Sequence, residues 1–380
     1  MSNLSESIGN SKTPSLGDSD YEHTAYYFRL AESINFYGLS LIIPFGLVGN
    51  CFSICVLLLS SMLRRTTTGQ YLIALALADS TVLVGDGIRW LASRRYDVAE
   101  YYFPQNLGLN VFDTSNAACK ITQFLRYGGC LWSVWITIAI AVERLISVAF
   151  PHKIDRFSTM KITRIAIVSI VVVSFCLGSF PFWTLHVTYG QEFGVNMTKC
   201  AIYDKDAYNA WNNAVLKLAT LLIPGVLITI LTIVIIVYLC RSRCGQKNAP
   251  SDESARTPSR EKTVTRLELS VTTQMTVMLV AVCVATIALR TPYTISYYFR
   301  SRVWAAESVH PTTHVQTYMA YRITDLINTV NYAINFVLYC VWGSSFRREA
   351  KRVFCRGRET TVDEERLATD DVCLNEMHKM

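Results

Sequence analysis

The stretch CKITQFLRYGGCLWSVWITIAIAVERLISVAFP, residues 119–151, opens on Cys119 and closes on Glu143-Arg144-Leu145 and then Pro151. Between Ile121 and Phe150 the only full charges are Arg126, Glu143 and Arg144. Hydrocarbon accepts a charged side chain only at a cost of roughly 2.5–3.5 kcal/mol on insertion scales. The stretch therefore reads as a membrane-spanning helix whose three charges face protein or water, with an acid and a base side by side at one end.

Working outward, six further stretches approach the roughly 20 apolar residues that a spanning helix needs. They are Ile34–Leu59, Tyr71–Leu91, Ile165–Thr184, Leu218–Cys240, Leu269–Leu289 and Gln316–Trp342. The expected fold is an all-α membrane protein, a seven-transmembrane helix bundle. Basic residues mark one side of it: Arg64 and Arg65 after span one, Lys153, Arg156, Lys161 and Arg164 after span three, Arg241 to Arg266 after span five, and Arg347, Arg348, Lys351 and Arg352 after span seven. The opposite connections are mixed or acidic, so the positive-inside rule puts the N-terminus outside and the C-terminus inside. The layout is a disordered outer segment 1–33, the helix bundle 34–343, a short amphipathic cytoplasmic helix 344–355 and a disordered tail 356–380. Phe346, Val353 and Phe354 share one face of that short helix with cations around it, as on an anionic inner leaflet.

The formal charge of +7 on 380 residues sits mainly on the inner face, which reads as a membrane signature; no basic patch interleaved with stacking aromatics points to nucleic acid. Residues 1–30 are polar and lack the apolar core of a cleavable signal, so span one directs insertion. The sequons at Asn3 and Asn196 both fall outside, as glycosylation requires. Most of the 12 cysteines lie within spans, where a thiol is a small apolar filler. Cys119, at the outer end of span three, and Cys200, in the loop before span five, face the oxidising compartment, which favours a disulfide over two free thiols. Cys355, just past the amphipathic stretch, is either palmitoylated or an unmodified surface cysteine.

Several motifs now stand in order: Gly49-Asn50 in span one, Leu75-Ala76-Leu77-Ala78-Asp79 in span two, Cys119 with Glu143-Arg144-Leu145 in span three, Pro224, Pro292, and Asn335-Phe336-Val337-Leu338-Tyr339 in span seven. In this order and spacing the chain resembles the rhodopsin-like G-protein-coupled receptors. The resemblance implies no enzymatic activity and a plasma-membrane location, with a heterotrimeric G protein as partner. Arg144 would pair with Glu143 at rest and leave it on activation, with Asn335 and Tyr339 completing the switch; a snorkelling arginine is the bland alternative. Asp79 would be caged by Ser133, Asn331 and Asn335, either around an allosteric sodium ion or as a protonated acid bonded to Asn335. Otherwise no cofactor is implied.

The departures matter too. Phe336 replaces the usual span-seven proline, putting its kink in question. Arg290-Thr291-Pro292 replaces a tryptophan-containing motif, Thr232 stands for a common tyrosine, and span four has no central tryptophan. Asn335-Phe336 and Cys340 resemble invertebrate neuropeptide receptors of the FMRFamide-receptor-like group. An amine receptor carries an aspartate where this chain has Arg126, which repels an ammonium, and a retinal pigment needs a lysine that span seven lacks.

What remains is an unusually charged outer half: Asp86, Arg89, Arg126, Arg290, Arg322 and Asp325. Intramembrane charges are functional candidates, and arginine forks suit peptide carbonyls or acids. Mutual pairing, such as Arg290 with Asp325 or Asp86 with Arg126, is the structural reading of the same residues. The long outer connections 93–118 and 189–209 favour an extracellular peptide ligand over a lipid or other small molecule, although such loops also serve as covers. Inner-face Ser251, Ser254, Thr257, Ser259, Thr360 and Thr361 are candidate substrates for a receptor kinase and, once phosphorylated, contacts for arrestin. A transporter would show internal repeats, and an enzyme would show convergent catalytic groups; neither pattern is present.

Overall fold

The computed structural model describes residues 18–92, 115–150, 158–192, 195–211, 217–247, 260–305 and 311–354. Span one lies in the helix Asp18–Leu59, span two in Thr67–Ala92, span three in Asn116–Ala149 and span four in Met160–Leu177. Span five is Ile223–Lys247 behind a π-helical turn Leu218–Leu222, and span six lies in Arg260–Ala305. Span seven is Pro311–Ala333 continued by Asn335–Trp342, and 344–354 is helical again.

Spans one to six contain segments long and apolar enough to cross a bilayer. Span seven is more polar because Asn328, Asn331 and Asn335 are buried in it, and it packs between spans one and six. The lipid-facing sides show the reverse pattern: Ile165, Val168, Val172, Ile230 and Ile233 are exposed. In hydrocarbon, apolar exposure costs nothing, and polar side chains turn inward to find partners.

Local chemistry sets the helix ends. Ser115 starts span three by accepting from the Ala118 N–H at 3.1 Å, and Thr159 starts span four by accepting from Ile162 at 3.3 Å. Span six passes through Pro292, beside which the Thr291 hydroxyl donates to the Ile287 carbonyl at 2.6 Å.

Span seven breaks at Ile334 without a proline, which corrects the doubt raised by Phe336. The Tyr332 carbonyl, which a continuous helix would give to the Phe336 N–H, accepts instead from Asn50 Nδ2 at 3.0 Å. A side chain inserted into the i→i−4 ladder has the effect usually left to proline. Phe336 meanwhile seats on Gly49, where an added Cβ would lie 3.0 Å from its own, and its ring meets Phe52 at 5.1 Å; Phe52 stacks in turn on Phe354 at 4.7 Å.

Between spans four and five the chain forms an antiparallel hairpin, β1 (Leu185–Glu192) and β2 (Val195–Ile202), paired from Leu185↔Ile202 to Glu192↔Val195. The sequence reading expected only a polar loop here. The alternation of apolar Val195 and Met197 with Asn196 and Thr198 is too short a signal to separate from loop composition.

Spans three and four touch through glycine. A Cβ on Gly178 would lie 2.7 Å from the Gly128 N and 2.9 Å from its Cα, while Phe175 fills the space a Gly128 side chain would need. Phe175 also meets Trp132 at 6.2 Å, so this contact holds span four without a central tryptophan. Because backbone cannot yield as a side chain does, Gly178→Ala is expected to cost about 1–3 kcal/mol. Thermal unfolding of the purified protein checks it, with a Tm lower by several degrees as the expected result and an unchanged Tm as the contrary one.

Candidate functional site

The polar residues of the bundle fall into three layers. In the outer layer Arg126 of span three donates from Nε to Asp86 Oδ1 of span two at 2.6 Å, and its Nη2 lies 4.0 Å from Asp325 Oδ1 of span seven. Asp325 Oδ2 is 3.9 Å from Arg322 Nη1. All four side chains are 10–14% exposed, so each charge is compensated within the protein and not by water. Gly85 allows the approach: a Cβ there would be 3.2 Å from that of Arg126. The expected Asp86–Arg126 pair is thus formed. Arg89 belongs to the last turns of the span-two helix, and its side chain lies outside the described residues.

Arg290 does not pair with Asp325, contrary to the other expected pairing. It lies deeper, donating from Nη2 to the Thr220 carbonyl at 3.4 Å, with Cζ 5.9 Å from the Tyr332 ring centroid. Asp325 already faces two arginines, so it has no charge left to compensate. The π-helical turn explains the unusual acceptor. Its widened backbone presents two carbonyls to the bundle, Ala219 to Trp135 Nε1 at 3.0 Å and Thr220 to Arg290.

Sequence reading missed an aromatic wall above this layer. Tyr293, Tyr297 and Tyr321 have ring centroids 5.7–6.1 Å apart, and Arg300 Cζ stands 4.2 Å over Tyr321 while Lys217 Nζ stands 5.0 Å over Tyr297. The i,i+4 spacing of Tyr293 and Tyr297 was the available signal. The hairpin is anchored beside the outer layer by the Cys119–Cys200 disulfide, with Cα atoms 5.7 Å apart. Asn116 adds a second tie, accepting from the Val187 N–H at 2.6 Å and approaching His186 Nε2 at 3.3 Å.

In the middle layer Asp79 is fully buried and accepts on both oxygens, from Ser133 Oγ at 2.6 Å and from Asn335 Nδ2 at 2.5 Å. Asn331 is buried on the same helix as Tyr332, whose hydroxyl donates to Cys130 Sγ at 3.4 Å. Tyr339 is buried one turn beyond Asn335, its ring 5.6 Å from that of Phe346.

The inner layer is a cluster of ion-paired and hydrogen-bonded side chains around Glu143 and Arg144. Arg144 Nη2 lies 3.1 Å from Glu143 Oε2 and donates to Thr68 Oγ1. Glu143 accepts from Thr67, from Ser158 at 3.2 Å and more distantly from Thr68 at 3.4 Å. With Arg144 at 7% side-chain exposure, a snorkelling arginine is excluded. Around it, Ser344 donates to Gln274 of span six, Ser60 donates to Glu349 at 2.9 Å, and Arg347 Nη1 takes the Cys340 and Val341 carbonyls at 2.7 Å. These bonds tie the amphipathic helix and span six to the inner ends of spans one and seven.

Asn3, Cys355, Ser251, Ser254, Thr257, Ser259, Thr360 and Thr361 lie outside the described residues, and so does the side chain of Asn196 in β2.

Residues 49–339 match the family model described as 7 transmembrane receptor (rhodopsin family). The chain is 25% identical over 260 residues to the Homo sapiens G-protein coupled receptor 65, covering 66% of this chain and 70% of that one. It is 22% identical over 341 residues to the Caenorhabditis elegans "Putative G-protein coupled receptor F59B2.13", covering 82% and 70%. Neither name specifies a ligand.

Proposed function

Since this chain belongs to the rhodopsin family of seven-transmembrane receptors, we propose that it is a plasma-membrane G-protein-coupled receptor activated by an extracellular neuropeptide. The observation that carries the peptide reading is the buried network Asp86–Arg126–Asp325–Arg322 beside a disulfide-anchored hairpin. Planar guanidinium donors and carboxylate acceptors alternate there over several ångströms, a pattern that suits the repeated carbonyls and charged side chains of a peptide better than one small functional group.

Ligand binding works by exchange. A peptide acid or carbonyl takes Arg126 or Arg322 while a peptide cation takes Asp86 or Asp325, so the internal pairs open without leaving a charge bare. Only interactions that differ between the two bundle states shift the equilibrium. In the active state span six leaves its contact with Ser344, Arg144 leaves Glu143, and the cleft so formed receives a heterotrimeric G protein. Receptor kinase and arrestin then act on the inner serines and threonines. The N-terminus lies outside with glycans on Asn3 and Asn196, Cys355 carries a palmitoyl chain, and the basic helix rests on the inner leaflet.

A second reading rests on one feature, an apolar groove between spans six and seven lined by Ile287, Thr291, Ile295, Phe299, Thr317 and Ala320. It faces the bilayer and suits a lipid ligand entering sideways. Cells carrying promiscuous G-protein reporters, challenged with amidated and free-acid neuropeptides beside amines and lipids, separate the two. A nanomolar peptide response is expected; silence to every peptide with a response to a lipid overturns the reading.

A further inference from the structure

Arg290 is the buried arginine without an ion pair among the described residues. Arg126 and Arg322 face Asp86 and Asp325, and Arg144 faces Glu143. Arg290 is 8% exposed, yet its Nη2 makes one long contact, 3.4 Å to the Thr220 carbonyl, and its Nη1 is buried with no hydrogen-bond partner. Buried donors are nearly always satisfied, and a charged one left bare costs more than a neutral one. An unpaired guanidinium nitrogen therefore marks a place for an acceptor that arrives from elsewhere.

Its position suits a ligand. Arg290 lies three residues inward of Tyr293 on span six, so it shares the face that carries the aromatic wall. It stands over the ring of Tyr332, whose hydroxyl reaches Cys130. Cys130 follows Arg126 by four residues, one helical turn or about 6 Å. Arg290 is thus one turn beneath the outer layer, at the foot of the wall. Further cations stand at the mouth: Lys217 over Tyr297, Arg300 over Tyr321, and Arg302 Cζ 5.3 Å over Tyr298. Positive charge at the rim and at the floor favours the approach of an anion.

Charge exchange singles out the floor. An acid that takes Arg126 or Arg322 leaves Asp86 or Asp325 stranded unless a ligand cation replaces the arginine. An acid that takes Arg290 displaces at most the Thr220 carbonyl and strands no charge.

We infer that Arg290 is the seat of a ligand carboxylate, so that the peptide this receptor binds presents a free C-terminal acid or an Asp or Glu side chain at its deepest point. The inference rests on the peptide reading of the outer layer and narrows it. A carboxylate meets the guanidinium with charge-assisted hydrogen bonds, whereas an amidated terminus offers a neutral carbonyl of about half the strength. Because Arg290 belongs to span six, two residues from Pro292, the ligand's charge then acts directly on the helix that moves.

Thermal unfolding of the purified receptor with millimolar N-acetylphenylalanine or its amide, at one ionic strength, tests the site with a probe that carries one carboxylate and one ring. The acid is expected to raise the wild-type Tm by about 2 °C and the amide to leave it unchanged. Arg290→Gln is expected to abolish the difference and Arg290→Lys, which keeps a cation, to retain it. Without a probe, Arg290→Gln should unfold no lower than the wild type, because it removes an unpaired buried charge. A wild type indifferent to the acid, or a rise that Arg290→Gln retains, overturns the inference; should that variant not be recovered folded, Arg290→Met is measured with the same outcomes. On the G-protein reporters, carboxylate forms of matched peptides are expected to be roughly tenfold more potent than their neutral forms in the wild type and equal to them in Arg290→Gln. Amidating the C-terminus and exchanging Asp or Glu for Asn or Gln, one at a time, tells which carboxylate is seated. Equal potency of all these forms in the wild type overturns the inference and leaves the peptide reading standing. Silence to every peptide beside an intact acid-specific thermal rise overturns the peptide reading and leaves the carboxylate seat standing.

Discussion

Arg144→Ala is expected to reduce agonist-driven G-protein activation to the background of cells without receptor, while surface expression stays within about twofold of the wild type. The two halves of this expectation come from the same geometry. Removing the guanidinium leaves Glu143 with hydroxyl donors from Thr67, Ser158 and Thr68, so the carboxylate is not stranded and the inner end remains packed. What disappears is the only group in the cluster that can swing from an acid within the bundle to a partner beneath it. Glu143→Gln should move the other way. It weakens the hold on Arg144 and should raise signalling in the absence of agonist, by up to the roughly tenfold that 1.4 kcal/mol represents. Concentration–response curves paired with surface labelling read both. Full signalling by Arg144→Ala would remove the cluster from the mechanism, and loss of the protein from the surface would reduce Arg144 to a structural role.

The second large effect is expected in the outer layer. Arg126→Ala deprives Asp86 of a partner at 2.6 Å and Asp325 of one at 4.0 Å in a site only about a tenth exposed. Removing one partner of a buried charge pair costs up to about 3–5 kcal/mol, so reduced surface expression and a lowered Tm should accompany any loss of ligand potency. The pairing makes a sharper demand. Asp86→Asn combined with Arg126→Ala should be less damaging than Arg126→Ala alone, because Asp86→Asn removes the buried charge that Arg126 compensated. Additive losses would mean that the two side chains are close without being coupled. Any remaining right shift in peptide potency at matched expression then measures what Arg126 gives the ligand, since a purely internal pair would leave potency unchanged.

Much of this was legible in the chain alone, for a reason specific to membranes. Whether a segment can enter hydrocarbon depends on its own composition, because each spanning helix must satisfy its backbone internally. The apolar character of spans one to six is therefore a local property of the sequence. The adjacency of Glu143 and Arg144 is covalent and needed no fold to be seen.

The partners of the buried charges were not legible in the same way. Asp86 and Arg126 meet, and Arg290 and Asp325 do not, because the choice depends on the rotation and depth of one helix against another, which hydropathy does not encode. Gly85 and the π-helical turn at Leu218–Leu222 set those offsets by a few ångströms. Span seven breaks at Ile334 because Asn50, 282 residues from Tyr332, reaches its carbonyl, so a motif without proline still bends. The sequence by itself determined which helices cross the membrane and which charges they carry inside. Only the tertiary structure decided which charge answers which, since Coulomb energy in a low dielectric turns on separations of a few ångströms that exist only once the helices have packed.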